Sequence, residues 1–387
     1  MNKSPRLIYI ANARIPSEKA HGMTIVKSCE ALALAGAAVE LVVPKRKNAG
    51  LPKDTFSFYG AKRNFKITFL PTLDLFAFEK HIGKLAFWIE IGVFYFFVYA
   101  RFLFSPRQMI IYSRDTPALL LKLRGFRVFF ECHHLPRRSG LYFLLNRLAN
   151  GVIVISRQLK IAYQKAGFAE DRILVAPSGV DLDIFDLNIS KEEAREKLNL
   201  PQELKIVTYT GNFRTFGADK GIGDIIESLR YLPPDIIFTA VGGSDRDIDF
   251  YRHRSETAGV SNRVFLFGRT DQKTLALYQK AADTLLMPFP DSKHYREHMS
   301  PVKMFEYMGS GRPIIGSDLL TIREVLDESN ALLVPPGDPP ALAAAIEKLL
   351  ADPEMGQRLA AAALKSVGQY SWGKRSKKVL DFIGASC

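Results

Sequence analysis

The stretch HMSPVKMFEYMGSGRPIIG (His298–Gly316) combines a loop, a helix, a turn and a strand in one short segment. Pro301 lies where a helix can begin, because the N–H that proline lacks has no intrahelical acceptor in the first turn. Gly309 and Gly311 close that helix, and RPIIG begins a new extended segment. Glu306 is the one carboxylate of the stretch and follows a helix start whose N–H groups make a ready anion site. The stretch therefore predicts a strand–helix–strand unit with an anion site at the start of its helix.

Short apolar runs of strand length alternate with helical patterns along the whole chain. These runs are RLIYIA, VELVVP, KITFL, MIIYS, RVFFE, GVIVIS and RILVAP in the first half, then KIVTYTG, IIFTAVG, RVFLFG, TLLMPF, RPIIG and ALLVPP in the second. Continuous apolar runs are typical of parallel strands that helices cover on both faces. We therefore predict an α/β protein with two doubly wound, Rossmann-like parallel sheets and with ligands at the carboxyl ends of the strands.

The length of 387 residues predicts more than one domain, since a single hydrophobic core stops growing near 250–300 residues. We expect an N-terminal domain over residues 1–187. A polar segment without strand signals, 188–203, is predicted to be a linker. A second domain is expected over residues 204–370, and a C-terminal helix over 371–387 is expected to pack back towards the first domain.

The formal net charge of +13 belongs to the first half of the chain. Residues 1–187 contain 27 basic and 14 acidic side chains, whereas the remainder contains 26 of each. This segregation predicts an anionic surface as a partner of the N-terminal half, although basic residues that only add solubility are the alternative. The chain has no recognised nucleic-acid motif, so nucleic acid is not expected as a partner.

The cysteines and the N-terminus predict a cytoplasmic protein. Cys29, Cys132 and Cys387 are too few and too scattered for a disulfide framework or a zinc site. The N-terminal residues MNKSPRLIYIAN lead directly into an apolar strand pattern, and so we expect no signal peptide.

The aromatic segment KLAFWIEIGVFYFFVYARFLF (Lys84–Phe104) is the most apolar part of the chain. Its uninterrupted apolar run, Leu85–Ala100, is shorter than the roughly 20 residues that span a bilayer, and Glu90 lies within it. We therefore predict that this segment does not span the bilayer. Two alternatives stay open: a helix packed on the N-terminal sheet, or a helix lying partly in the membrane interface. The basic residues that flank it are Lys84, Arg101 and Arg107.

A second helix N-terminus that could bind an anion is predicted in YTGNFRTFGADKGIGDIIESL (Tyr209–Leu229), where a strand, a glycine-containing loop and a helix follow one another. Gly211 and Gly221 permit close backbone approach, and Lys220 supplies a positive charge for a phosphate. By itself this pattern is also that of an ordinary turn. Together with the helix start before Glu306, it predicts a site that holds a diphosphate from two sides. Glu306 would then accept hydrogen bonds from sugar hydroxyls, because it would repel a phosphate.

The ordered set of motifs resembles the GT-B glycosyltransferases of family 4, the retaining group 1 type. TGN…DKG, VFLFGRTDQKTLALYQKAADTLLMPF and SPVKMFEYMGSGRPIIGSDLLTIREVL follow the order of that family's nucleotide-binding domain. In the first half, FFECHHLP and APSGVDLDIF resemble the family's E-x-H and P-x-G-V-D segments. The resemblance extends over close to the full chain and rests on the order of the motifs. It implies a GT-B fold, in which two Rossmann-like domains face a cleft. Residues 1–187 would then face the acceptor and the membrane, and residues 204–370 would bind the nucleotide sugar.

The resemblance implies roles for residues of the second half. Lys220 corresponds to the lysine that contacts the donor diphosphate, and Glu306 to the glutamate that holds the nucleotide ribose. Ser300, Pro301 and Val302 correspond to the loop whose backbone amides face the phosphates. Two further donor-binding positions are expected. Gly211 lies at the end of a strand, and Arg269, which follows Gly268, corresponds to the position where the family's backbone contacts the base.

In the first half, His133 corresponds to the histidine that reaches the donor sugar, and Gly22 to the glycine of the first loop at the cleft. His21 is a secondary candidate. Glu131 either orients His133 or caps its loop, and we assign it no catalytic role.

The chain departs from the family's motifs at several positions. His298 replaces the first glutamate of the E-x7-E motif, which touches donor-sugar hydroxyls, and is therefore the expected donor-sugar contact. Asn212 replaces the arginine that follows the strand glycine, and Arg214, two residues on, is the expected substitute for its charge. Ser178 replaces the asparagine before G-V-D.

The resemblance implies a retaining glycosyltransferase that moves a sugar from a nucleoside diphosphate sugar to a glycan or lipid-linked acceptor. The expected context is envelope or exopolysaccharide synthesis on the inner face of the cell membrane. Preorganised cations and amides would stabilise the departing diphosphate, and no obligatory metal or other cofactor is expected. Two alternatives remain on the same fold: a non-catalytic membrane or polyanion-binding module, and a nucleotide-sugar epimerase.

Overall fold

The computed structural model describes residues 4–46, 50–52, 54–75, 83–136, 139–215 and 217–386. It divides into two compact units. The first unit contains Met1–Pro177 and Trp372–Cys387, and the second contains Ser178–Ser371. Two positions named above lie outside the described part, namely Cys387 and the side chain of Lys84.

The strands and helices alternate along the described chain. The strands are β1 Arg6–Ile10, β2 Ala38–Pro44, β3 Lys66–Leu70, β4 Ile110–Ser113, β5 Arg127–Cys132, β6 Gly151–Val154, β7 Ile173–Val175, β8 Lys205–Thr210, β9 Arg214–Thr215, β10 Ala218–Asp219, β11 Ile236–Gly243, β12 Val264–Gly268, β13 Thr284–Met287, β14 Ile314–Ser317 and β15 Leu332–Val334. The helices are α1 Ala20–Leu34, α2 Thr55–Tyr59, α3 Lys84–Phe102, α4 Gly140–Asn146, α5 Arg157–Lys165, α6 Leu182–Phe185, α7 Lys191–Lys197, α8 Ile222–Ser228, α9 Asp245–Thr257, α10 Gln272–Ala281, α11 Lys293–Glu297, α12 Val302–Ser310, α13 Leu320–Arg323, α14 Pro339–Ala351, α15 Pro353–Val367 and α16 Trp372–Ala385.

Both predicted parallel sheets are confirmed. The sheet of the first unit has the order β3-β2-β1-β4-β5-β6-β7, and that of the second has the order β12-β11-β8-β13-β14-β15. Every neighbouring pair in these two sheets is parallel. In each sheet the strand order reverses beside the first strand, at β1/β4 and at β8/β13. Ligands bind at such switch points in doubly wound folds.

Alternating residues of the central strands enter different cores. In β1, Ile8 and Ile10 belong to one buried cluster, whereas Leu7 and Tyr9 belong to another. Both sets are fully buried. A strand whose two faces are both covered by helices needs an unbroken apolar sequence, and this explains the continuous run RLIYIA.

Helix α3 packs one face into the core of the first unit. Phe94, Tyr95 and Val98 are buried in that core. The buried Glu90 carboxylate forms an ion pair with Arg46, whose Nη2 lies 3.1 Å from Glu90 Oε2. The apolar helix runs two residues further than the predicted run. Its window Leu85–Phe102 has a mean hydropathy of 1.5, so length and composition alone would allow it to cross a membrane, with 33% of the window buried inside the protein.

Helix α16 belongs to the first unit, although it ends the chain. It packs against α1, and its residues Val379 and Ile383 share a core with Ile25 and Val26 of that helix. Arg127, at the start of β5, donates a hydrogen bond to the carbonyl of Ile383, which further anchors the helix.

The structure differs from the predicted linker over residues 188–203. Ser190 and Glu193 form a reciprocal capping box that starts α7. Arg195 of this helix is buried, pairs with Asp283 at 2.7 Å and donates to the carbonyls of four surrounding residues, among them Leu204 at 3.0 Å. A helix held in this way is part of a core. The boundary therefore falls at Pro177–Ser178 and not at residue 187.

Candidate functional site

Lys220 lies in the loop that follows β8, at the switch point of the second sheet. The next residue, Gly221, has φ +95°, and a Cβ at this position would lie 1.9 Å from the carbonyl oxygen of Pro288, which follows β13. Only glycine allows this approach. The loop is therefore held against the end of β13, and Lys220 is placed where the strand order reverses.

The start of α8 is not the anion site that the sequence predicts. The Asp219 carboxylate accepts hydrogen bonds from the N–H groups of Gly221, Ile222 and Gly223 at 2.7–3.1 Å. The protein thus satisfies these donors with its own carboxylate, and Lys220 is what the loop offers to an anion. Burial lowers the pKa of Lys220 to about 8.

The start of α12 has a different arrangement. Its N-cap residue is Pro301, and within the described chain no side chain caps this helix. The preceding residue Ser300 is fixed by Ser178, whose N–H donates to Ser300 Oγ at 2.9 Å and whose hydroxyl donates to the Ser300 carbonyl at 2.7 Å. The loop 300–302 is thereby held in place by the second unit itself. Its following N–H groups, from Val302 onward, carry the positive end of the helix dipole.

Lys303 is a buried lysine that was not among the predicted site residues. Its Nζ lies 3.3 Å from the centroid of the Tyr209 ring and 3.4 Å from the point that a Cβ of Gly211 would occupy. Among the residues that the structure describes, this Nζ has no hydrogen-bond partner. Burial lowers the pKa of Lys303 well below its usual value; the charge of Lys220 lowers it further, and that of Glu306 raises it.

Glu306 lies one turn beyond Lys303 on the same face of α12 and is also buried. Burial raises its pKa to about 7, against the opposing effects of Lys303 and of a hydrogen bond with Gln279. The Gln279 amide also donates to Thr210 Oγ1 at 3.0 Å, and the Tyr307 hydroxyl accepts from the Thr210 N–H at 2.8 Å. These contacts fix α12 against the carboxyl end of β8.

The other donor-binding positions predicted in the second unit have local contacts. Arg214 donates to the carbonyl of Gly217 at 2.9 Å, and its guanidinium lies 4.7 Å from the ring centroid of Phe250, so it is held within its own hairpin. Arg269 is exposed after β12. His298 is buried at the end of α11, and its Nε2 lies 3.8 Å from Glu297 Oε2.

In the first unit, the half-buried His133 directly follows β5 and joins an ionic cluster. Its Nε2 lies 2.6 Å from Glu131 Oε1. The fully buried Glu131 also pairs with Arg114 at 2.9 Å and with Arg375 of α16 at 3.0 Å, and Tyr112 donates a hydrogen bond to it. The two arginines hold the pKa of Glu131 well below its usual value even though burial acts in the opposite direction.

The same cluster determines the protonation of His133. Partial burial, with a contribution from Arg114, lowers the pKa of this histidine to about 4, so its imidazole is neutral near pH 7. His21 is exposed at the start of α1. A carboxylate can only accept, so the Glu131 contact places the His133 proton on Nε2 and leaves Nδ1 as an acceptor. Gly22 has a packing role, because a Cβ there would lie 2.3 Å from the Tyr59 hydroxyl.

The structure brings together Lys220, Lys303, Glu306 and the loop 300–302 at one end of the second sheet, and it does not bring Arg214 into this group. A signal for Lys303 was present in the sequence, because a lysine three residues before Glu306 shares its helix face. Arg114 and Arg375 had no such signal. Within the described residues, no group of three or more His, Cys, Asp or Glu side chains could hold a metal ion.

The part of the chain that contains these residues is similar in sequence to known proteins. Residues 190–366 match the family model described as glycosyl transferases group 1. The D-inositol 3-phosphate glycosyltransferase of Xylanimonas cellulosilytica is 29% identical over 223 residues, which cover 54% of this chain and 51% of that protein. The phosphatidyl-myo-inositol mannosyltransferase of Mycobacterium leprae is 26% identical over 234 residues, covering 59% of this chain and 58% of the relative. The chain thus spans little more than half the length of these curated relatives.

Solved structures resemble the whole chain. HepE of Anabaena, crystallised with UDP and glucose, has a TM-score of 0.74 and 16% identity, with coverage of 98% of this chain and 100% of its own. The sucrose-phosphate synthase of Thermosynechococcus elongatus has a TM-score of 0.73 and 23% identity, with coverage of 98% of both chains. At these identities the likeness shows the fold, and that fold is GT-B.

Proposed function

We propose that this protein is a retaining glycosyltransferase that transfers a sugar from a nucleoside diphosphate sugar to a glycan acceptor. The proposal rests on one arrangement of side chains in the second unit. The half-buried Lys220 and the buried Lys303 lie with the uncapped start of α12 at the switch point of the second sheet, and Glu306 lies beside them. The group 1 match covers the same residues.

The arrangement suits the departure of a nucleoside diphosphate. In the reaction, the bond from the anomeric carbon to the diphosphate oxygen breaks and a bond from the acceptor hydroxyl oxygen forms. The acceptor proton passes to the departing phosphate oxygen on the same face of the sugar. Negative charge develops on the diphosphate, and fixed cations and helix amides that meet it there lower the barrier. No protein nucleophile and no metal ion are required in this scheme.

Glu306 is proposed to hold the nucleotide ribose. A buried carboxylate that is ionised accepts hydrogen bonds and donates none, so it selects hydroxyl groups over phosphate oxygens. Burial in the second unit makes the ionised form costly until such donors arrive. For His133 we propose contact with the donor sugar, with Glu131 fixing its ring and its tautomer.

The acceptor is proposed to be lipid-linked and to be met at an anionic membrane surface on the cytoplasmic side. The first half of the chain holds the entire basic excess. Trp88 and Phe96 of α3 each expose about two thirds of their surface, and Phe104 just beyond it is 91% exposed. Aromatic side chains beside basic ones are typical of segments that lie in a membrane interface.

The proposal is tested by turnover with UDP-, GDP- and ADP-sugars in the presence of a lipid-linked glycan extract. We expect acceptor-dependent release of one nucleoside diphosphate and a product with the anomeric configuration of the donor. Lys220→Met should abolish release, whereas Lys280→Met, a half-buried lysine at the other end of α12, should not. Conversion of the donor sugar to its epimer without an acceptor would identify an epimerase, and binding without turnover would identify a binding module.

A further inference from the structure

Lys303 is buried without the acceptor that a buried ammonium normally requires. Its residue is only 8% exposed, and its Nζ has no hydrogen-bond partner among the described residues. Glu306, one helical turn away, influences it electrostatically but is not ion-paired with it in the structure. Burial of an unpaired charge is costly, so its retention here calls for an explanation.

Contacts with aromatic rings explain only in part why a lysine is retained at this buried position. The Nζ lies 3.3 Å from the centroid of the Tyr209 ring and 5.7 Å from that of Phe289. Cation–π contacts of this kind are favourable, but they leave the three N–H donors of the ammonium unused. An apolar side chain of the same length would fill the same space without the cost of burying a charge.

The surroundings of Lys303 favour an anion as the missing partner. Lys220 is close enough for its charge to lower the pKa of Lys303, and an anion bound between the two lysines would favour the charged form of both. The start of α12 adds the positive end of its dipole to the same place. Gly211, at the end of β8, presents no side chain there, and a Cβ would lie 3.4 Å from the Lys303 Nζ. The backbone thus leaves an approach to the ammonium.

We infer that Lys303 is a donor-binding residue whose ammonium contacts the diphosphate of the nucleotide sugar together with Lys220. This inference rests on the proposed function, because it names a second cation of the same site. In the absence of ligand the side chain lies on Tyr209, and the diphosphate supplies the acceptors that its N–H groups lack. Lys303 therefore sets the preference of the site for a diphosphate over a nucleoside that carries no phosphate.

The test compares the wild type with Lys303→Met and with the control Lys280→Met. Lys280 also lies against α12, but it donates to the carbonyl of Ser310 at the opposite end of that helix. Calorimetric titrations use UDP, GDP and ADP, the three parent nucleosides, and inorganic pyrophosphate. Lys303→Met should weaken the binding of the nucleoside diphosphate at least tenfold and leave the binding of its nucleoside unchanged. It should also raise the melting temperature of the unliganded protein, since methionine fills the site without a buried charge.

The outcomes separate this inference from the proposed function. If the wild type binds a nucleoside diphosphate and Lys303→Met binds it as tightly, the inference is wrong and the proposed function stands. If the wild type binds pyrophosphate but no nucleotide, and Lys303→Met loses pyrophosphate, the anion site stands and the nucleotide-sugar function falls. Failure of the wild type to bind any of these probes overturns both.

Discussion

Ser178 and Ser300, which are far apart in sequence, are joined by two hydrogen bonds, both donated by Ser178. The Ser178 N–H donates to Ser300 Oγ at 2.9 Å, and the Ser178 hydroxyl donates to the Ser300 carbonyl at 2.7 Å. Ser300 directly precedes Pro301, the N-cap residue of α12. The strand-to-helix segment at the beginning of the second unit therefore fixes the loop whose amides are proposed to face the donor phosphates.

Ser178→Ala removes the donor to the Ser300 carbonyl and should loosen this loop. The loss of one such hydrogen bond costs about 1 kcal/mol, so we expect the dissociation constant of the nucleoside diphosphate to rise roughly fivefold. Ser310→Ala is the matched control, because its hydroxyl donates to the Tyr307 carbonyl at the far end of α12. That variant should lose stability without a change in affinity. Equal effects of both variants on affinity would show that the loop has no special role.

Glu306→Gln should alter the pH dependence of stability in the unliganded protein. The pKa of Glu306 is raised to about 7 in the folded state, so the folded protein binds its proton more tightly than the unfolded chain does. This contribution to stability is fully present below the unfolded pKa and is lost as the pH rises through 7. A shift of this size corresponds to about 3 kcal/mol. Urea denaturation at pH 4–8 should therefore show the wild type losing stability relative to Glu306→Gln.

The control for that experiment is Glu227→Gln, which changes a carboxylate on α8 that is partly exposed to solvent. It should show the same slope of stability against pH as the wild type. A wild type and a Glu306→Gln variant with parallel profiles would contradict the burial and charge assigned to Glu306.

The affinity for the nucleotide sugar should be greatest between about pH 7 and pH 8. Below pH 7 Glu306 must lose its proton before it can accept from ribose hydroxyls. Above pH 8 Lys220 must gain one before it can contact the diphosphate, and the same holds for Lys303, whose pKa is also lowered. A nucleotide sugar has a fully esterified diphosphate that does not titrate in this range. Titration calorimetry in buffers of different ionisation enthalpy should detect proton release at pH 6 and proton uptake at pH 9. A flat affinity profile with no proton exchange would count against both assignments.

Arg375→Met should destabilise the first unit strongly. It removes one of the two arginines paired with the fully buried Glu131 carboxylate and leaves that charge under-compensated. Breaking a buried ion pair costs about 3–5 kcal/mol. Lys377→Met, on the exposed face of the same helix, should cost less than about 0.5 kcal/mol. Because the pKa of Glu131 is depressed in the folded state, the contribution of the cluster is present above the unfolded pKa and is lost in acid. The difference between Arg375→Met and the wild type should accordingly shrink at low pH.

Trp88→Glu should weaken binding to anionic membranes. The wild-type chain is expected to sediment with vesicles of phosphatidylcholine and phosphatidylglycerol, and less so as salt screens the basic half. Trp88 is 64% exposed on α3, and a carboxylate there is repelled by the lipid surface. Phe265→Glu, an exposed aromatic position in the second unit, should sediment as the wild type does. Equal sedimentation of the wild type with uncharged vesicles and with anionic ones would contradict the charge argument.

The sheets could be predicted from the sequence because the signal is local. Each buried parallel strand needs its own continuous apolar run, and the strand from RPIIG, for example, forms as β14 beside β13. The helix from Val302 also begins directly after Pro301, as expected. Gly311 ends it with φ +67°, whereas Gly309 lies inside it.

The features that were missed depend on contacts between distant residues. Arg375 lies 244 positions from Glu131, and no local sequence pattern near either residue predicts their ion pair. The burial of Lys303 depends on Tyr209, which belongs to another strand. The segment 188–203 is polar and lacks strand signals, which predicts a linker, but the buried Arg195 anchors it through hydrogen bonds to distant carbonyl groups that no local sequence pattern predicts.

The most direct test of the account is the binding of UDP, GDP and ADP to the full chain and to Glu306→Ala, measured by thermal unfolding and calorimetry. We predict that one of the three nucleotides binds and that, at 100 times its dissociation constant, it stabilises the wild type by about 2.7 kcal/mol. The variant should show neither binding nor this shift. Binding of none of the three, or equal binding by Glu306→Ala, would contradict the assignment of the second unit as a nucleotide-sugar site.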